Sequence, residues 1–134
     1  MAKYFTIETD PRLYSCNCRA CPADFHVSPT EQLLHTLDIV REAYGKPLTV
    51  TSGVRCPAYN AKVGGVVDGE HTTGEAADLF TSDMLSAESF ARYRLLQAAL
   101  KVGVTRVGIG SNFVHIGVAA RFPQMVAWLY AASH

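Results

Sequence analysis

The sequence predicts a single domain of mixed α and β structure, and three observations carry that expectation. A chain of 134 residues suits one domain that buries roughly two thirds of the surface its unfolded form exposes. Two long segments repeat apolar residues at helical spacing between recognisable start and stop signals. Several short runs are instead β-branched and bounded by turn residues. No repeat or low-complexity stretch divides the chain, so residues 1–134 are expected to form one unit.

Residues 1–27 are turn-rich and hold three of the four cysteines. A helix follows: Ser28 reads as its N-cap, Pro29 as the first helical position and Glu31 as the capping-box acid. Leu33, Leu34, Leu37, Val40 and Tyr44 form its apolar stripe, and Gly45 stops it. The alternating run at 48–52 predicts a strand that delivers Gly53, Val54 and Arg55 to its end, where loops carry sites. Pro57–Val63 reads as a short helix ended by Gly64 and Gly65, and a strand is expected around Ala76–Phe80. A second long helix is expected from Ser86 to about Val102, with Phe90, Tyr93, Leu96 and Leu100 on its stripe and Gly103 at its end. Strands at Arg106–Ile109 and Phe113–Val118 flank a turn at Gly110-Ser111-Asn112. Met125–Tyr130 reads equally as strand or helix, Pro123 marking only its start.

Charge and hydropathy narrow the partners. Lys plus Arg and Asp plus Glu both number 12, which provides no general electrostatic footprint for nucleic acid or an anionic membrane, so neither is expected. There is no run of about 18 apolar residues and no apolar N-terminal run preceded by positive charge. Neither a span nor an export signal is expected, and synthesis is expected in the cytoplasm.

The stretch GEHTTGEAADLF places His71 and Asp78 seven residues apart with small residues between them, which reads as half of a zinc site. His115, inside the β-branched run NFVHIGV, offers the other half. Two imidazoles and a carboxylate leave tetrahedral zinc one open position, the feature that separates a catalytic from a closed structural site. Zinc held in this way polarises a carbonyl and lowers the pKa of water, which suits amide hydrolysis without a covalent intermediate. His26, His35 and His134 lack matching partners and read as structural or solvated.

Cys16, Cys18 and Cys21 lie within six residues, and Cys56 follows Arg55. Without an export signal such thiols are expected to be reduced or metal-bound. The C-x-C-x-x-C spacing could hold a second, structural zinc with Cys56 as fourth thiolate. Buried thiols or one disulfide are the alternatives.

Three blocks together carry a resemblance: S-G-V-R-C-P-A-Y-N-A-K-V-G-G at 52–65, H-T-T-G-E-A-A-D at 71–78, and G-I-G with F-V-H at 108–115. In this order they resemble the zinc D-Ala-D-Ala carboxypeptidase family, which includes phage L-alanyl-D-glutamate endopeptidases and shares its core with the Hedgehog signalling domain. The cysteines before the first helix, with the R-C-P at 55–57, are similar to one small branch of that family. The resemblance implies an α+β fold whose antiparallel sheet carries the metal on His71, Asp78 and His115, with Arg55 facing the substrate. A guanidinium there could pair with a peptide carboxylate or stabilise an oxyanion. Its loss would remove one charge-assisted contact of about 1.5–3 kcal/mol and leave folding near normal.

The chain also departs from that pattern. Many relatives place an acid two positions after the last histidine or three before it, and here those positions hold Gly117 and Asn112. Ser is common two residues before the first histidine, where this chain has Gly69. A general base would then have to come from Asp68, Glu70 or Glu75, and Glu70 is the first candidate because it adjoins a ligand. The expected function is a zinc metallopeptidase acting on peptidoglycan stem peptides. The alternative is a non-catalytic zinc-binding protein of the same fold, such as a phage virion component with assembly partners in the particle. The lack of an export signal suits either a virion protein or one released by lysis to act on the cell wall.

Overall fold

The computed structural model describes residues 2–18 and 21–130, so His134 lies outside the described residues. The element order is α1 (Pro11–Tyr14), α2 (Glu31–Tyr44), β1 (Thr49–Ser52), α3 (Pro57–Lys62), β2 (Ala76–Phe80), α4 (Glu88–Lys101), β3 (Arg106–Ile109), β4 (Val114–Gly117) and β5 (Val126–Leu129). Single 3-10 turns at Glu70–Thr73 and Ser82–Leu85 precede β2 and α4. The strands form one sheet in the order β1-β2-β4-β3-β5, which makes the fold α+β. Antiparallel pairing joins β1, β2, β4 and β3, while β5 adds in parallel beside β3. The ambiguous segment after Pro123 is therefore an edge strand, and the sheet is mixed at that edge alone.

Strand alternation divides the sheet into two faces. Val50, Ala77, Leu79, Val107, Val114 and Ile116 point into one hydrophobic core with Leu33, Leu37 and Val40 of α2 and Leu95 and Ala99 of α4. The residues between them, Asp78, Arg106 and His115, are buried polar groups outside that core. Two buried carboxylates pin the N-terminal segment to this frame. Asp38 of α2 accepts from the backbone N–H groups of Lys3 and Tyr4 at 2.7 and 3.0 Å, and Asp10 accepts from that of Val50 at 2.8 Å.

Helix α2 keeps the predicted stripe and the predicted stop, with Gly45 at φ 87° in the left-handed region. Its start differs from the expectation. Thr30, not Ser28, is the N-cap, and its hydroxyl accepts from Leu33 N–H at 3.2 Å. The reason is tertiary: the Thr30 N–H donates to the Gly74 carbonyl at 2.9 Å, which holds Thr30 extended and delays the first turn. Thr30→Ala is expected to cost about 1 kcal/mol in urea unfolding, whereas Ser28→Ala is expected to be near neutral. Equal effects of the two would contradict this cap assignment.

Helix α4 turns a largely different face inward from the predicted one, of which Leu96 packs against the core. Phe90, Tyr93 and Leu100 are 63%, 61% and 59% exposed, and the buried face is Ala91, Leu95, Ala98 and Ala99. Both stripes satisfy a helical period, and the alanine-rich one lets the helix come closer to the sheet and α2. The helix also begins two residues later than expected because Ser82–Leu85 forms its own turn, capped by the Thr81 hydroxyl.

Candidate metal centre

Strand register assembles the centre. Ser52 of β1 lies opposite Asp78 of β2, Asp78 opposite His115 of β4, His115 opposite Gly108 of β3, and Gly108 opposite Trp128 of β5. One row across five strands therefore carries two of the three predicted ligands as direct neighbours. Gly108 is needed in that row because a Cβ there would run into the rings of Trp128 and Tyr130. Those rings stand 5.2 and 6.2 Å from the His115 ring, centroid to centroid.

His71 arrives from the turn Glu70–Thr73, which Gly74 ends at φ 73°. Its Nδ1 is 2.7 Å from the Gly53 carbonyl oxygen, which can only accept. The proton therefore sits on Nδ1 and the Nε2 lone pair is free. That Nε2 is buried without a hydrogen-bond partner, 3.3 Å from Asp78 Oδ1 but not aligned as a hydrogen bond with it. His115 Nδ1 lies 3.0 Å from the same oxygen. Leaving such a nitrogen unsatisfied costs roughly 1–3 kcal/mol, a cost that a cation at the meeting point of the three groups removes. The three residues bring one ligand atom each to within 4.8 Å of one another, so the donor set fits a divalent metal.

The electrostatics match that fit at His71 and Asp78; burial would lower His115, but its bonds to Asp78 and Glu70 outweigh that and raise it, so a metal there displaces a proton. Burial pushes the His71 pKa down, against the pull of Asp78, and favours the neutral imidazole. Burial alone would raise Asp78, but the two histidines set against it, His71 first, outweigh that and hold the carboxyl well below the usual range. A neutral imidazole and an ionised carboxylate are the forms a metal binds.

Arg55 is 8% exposed and lies against this group rather than on the surface. Its Nη2 is 3.5 Å from Asp78 Oδ2, its Nη1 donates to Asn60 Oδ1 at 3.2 Å and its Nε to Ser52 Oγ at 3.0 Å. Arg55 thus takes the Asp78 oxygen that the histidines leave. Asn60 in turn donates to the Val66 carbonyl at 2.7 Å, which ties the lip of the cleft to Arg55.

Glu70 comes to the site in an unexpected way. The 4% exposed carboxylate accepts from Arg106 Nε at 3.1 Å, from Arg106 Nη2 at 3.2 Å and from the Ala119 N–H at 3.2 Å, and it lies 2.7 Å from His115 Nε2. Both oxygens are doubly engaged. Burial would raise its pKa, but the bonds to His115 and Arg106 dominate and lower it. A Cβ on Gly117 would collide with this same carboxylate. The acid missing two residues after His115 is therefore replaced in space by one that precedes His71. Of the other loop acids, Glu75 pairs with Arg121, and Asp68 is an exposed turn residue at φ 56° whose carbonyl accepts from Arg121. Neither borders the cleft.

That cleft has a volume of about 540 Å³, with Arg55, Glu70, His71, Arg106 and His115 in its floor and Trp128 and Tyr130 on one wall. Sequence reasoning passed over Arg106 and both aromatics. The signal available was a lone arginine on an otherwise apolar strand. Arg106 is 9% exposed, and its guanidinium stacks 5.0 Å from the rings of Phe122 and Trp128. Cys16, Cys18, Cys21 and Cys56 also converge, apart from the cleft. His26 and His35 are exposed and join neither group.

An α+β domain whose sheet brings an imidazole and a carboxylate together with an imidazole from an adjoining turn, beside an open cleft, has the build of a metallohydrolase. The sequence profile of the peptidase M15 family matches residues 8–117, and the chain belongs to that family, whose members are zinc-dependent. No curated protein matches the chain.

Proposed function

We propose that this chain is a zinc metallopeptidase that hydrolyses an amide bond in peptidoglycan stem peptides, with His71 Nε2, Asp78 Oδ1 and His115 Nδ1 holding the ion. The observation that carries the reading is the buried, unpartnered Nε2 of His71 facing Asp78 at the cleft floor. Zinc bound there supplies a Lewis acid for the scissile carbonyl and activates water. Arg55, at the cleft floor, offers charge-assisted donors to a peptide carboxylate or to the oxyanion of the tetrahedral state. Phe122, Trp128 and Tyr130 form an apolar wall that keeps water from the reacting amide. The site of action is the cell wall, reached after lysis or from a virion.

Glu70 acts on His115. By accepting from Nε2–H it leaves the Nδ1 lone pair for the metal, and Arg106 keeps the carboxylate in place. It is a positioning residue in this reading, because an oxygen pair with every acceptor position taken is a poor proton acceptor. Glu70→Gln keeps an oxygen for Nε2–H and loses the paired arginine. Zinc affinity is expected to fall about 10–100-fold, with turnover recovering at saturating zinc. A loss of about 10²–10⁴-fold that persists at saturating zinc would instead make Glu70 the general base.

One observation favours a second reading, a zinc-binding virion or binding protein without hydrolysis. Among the described residues, Glu70 is the one carboxylate that lines the cleft. Metal analysis followed by incubation with peptidoglycan fragments separates the two. Product release from zinc-loaded protein supports the peptidase, and retained binding of the fragments without release supports the second reading.

A further inference from the structure

The four cysteines form a second cluster that none of the chemistry above uses. None is in a disulfide, and their sulfur atoms gather although Cys56 stands 40 residues from Cys16. Cys16 Sγ is 3.8 Å from Cys56 Sγ, Cys18 Sγ is 3.6 Å from Cys56 Sγ and 2.8 Å from Cys21 Sγ, and all four lie within 4.8 Å of one another. Four thiolates around a tetrahedral ion with bonds of about 2.3 Å have sulfur–sulfur edges of about 3.8 Å. Two of the three separations already match that figure.

Packing does not explain the gathering. Cys56 is buried at 1%, but Cys16 and Cys18 are half-buried and Cys21 is exposed, on a turn-rich segment outside the hydrophobic core. The Cys56 backbone N–H donates to Cys16 Sγ at 3.3 Å, the kind of N–H to sulfur bond that supports metal-bound thiolates. Sulfur ligands in a tetrahedral set select zinc or iron over harder ions.

We propose that Cys16, Cys18, Cys21 and Cys56 bind a structural zinc ion that fastens the N-terminal segment to the loop carrying Arg55. The site is closed by four protein ligands, so it holds no position for substrate. Its effect on the cleft is indirect. Cys56 directly follows Arg55, and fixing one fixes the backbone of the other.

The test is a cobalt(II) titration of the intact, reduced chain, followed by displacement with zinc. Thiolate ligands add a sulfur-to-cobalt charge-transfer band that the His71, Asp78 and His115 set cannot produce, so the outcome is independent of the peptidase reading. The expected result is a band that saturates within two equivalents of cobalt, at the intensity of one thiolate-bound ion per chain, and disappears when zinc is added. Cys56 is buried, so its replacement would test folding as well as metal binding. Cys21→Ser alters an exposed position and is expected to weaken cobalt binding and lower the band, since three thiolates remain, while circular dichroism stays unchanged. A chain that gives no such band, that carries a Cys18–Cys21 disulfide after reducing purification, or that holds iron in place of zinc overturns the proposal.

Discussion

Gly117→Asp is expected to destabilise the protein by about 3–5 kcal/mol, and adding Glu70→Gly to the same chain is expected to recover most of that loss. The single change forces a side chain into space held by the Glu70 carboxylate, since even a Cβ at 117 has no room. It also sets two carboxylates against one guanidinium, because Arg106 lies directly opposite Gly117 in the β3–β4 register. Against a total stability of roughly 5–15 kcal/mol for a domain, that is a large fraction. In the double variant one acid again faces Arg106 and His115, now from the strand. Urea unfolding of the four chains, parent, two singles and double, measures the coupling. If Gly117→Asp alone is as stable as the parent, Glu70 swings clear and the two positions do not share one carboxylate site.

Arg55→Ala is expected to lower stability by about 3–5 kcal/mol in metal-free protein and by clearly less once zinc is bound. The expectation of near-normal folding, drawn from sequence, treated Arg55 as a substrate-facing group with one contact to lose. In the structure the guanidinium is the cation beside Asp78 Oδ2, so its removal leaves a buried carboxylate against two imidazoles. Zinc restores positive charge to that carboxylate and should offset part of the loss. Melting temperatures of parent and variant, each with chelator and with zinc, give the comparison. The same drop under both conditions would assign the effect to the bonds with Ser52 and Asn60 instead. Peptide cleavage by the zinc-loaded variant is expected to fall as well.

Much of the local structure was legible because it depends on short-range chemistry. The α2 stripe and its glycine stop, the strands at Ala76–Phe80 and Arg106–Ile109, and the spacing of His71, Asp78 and His115 are all local patterns. A histidine flanked by Val114 and Ile116 on a strand must face away from the core those residues enter, so period-two alternation alone sends His115 to the polar face. Other features were not legible because two patterns competed and a distant partner chose between them. Thr30 caps α2 because Gly74, far along the chain, holds its N–H. The alanine stripe of α4 wins because closeness to the sheet outweighs the larger apolar side chains on the other stripe. The run after Pro123 becomes a strand because β3 offers it a free edge.

By itself, then, the sequence determined which residue types stand in the centre and which secondary structure most of them occupy. Spacing sufficed because imidazole and carboxylate donors on paired strands meet wherever the register brings them opposite. Only the tertiary structure decided what surrounds them. It set Arg55 against Asp78, placed the Glu70 carboxylate where a 117 side chain would stand, and brought Arg106 and Trp128 in from strands that no local pattern ties to the centre. These are contacts between residues remote in the chain, and their energies depend on burial and direction, which no local pattern of letters encodes.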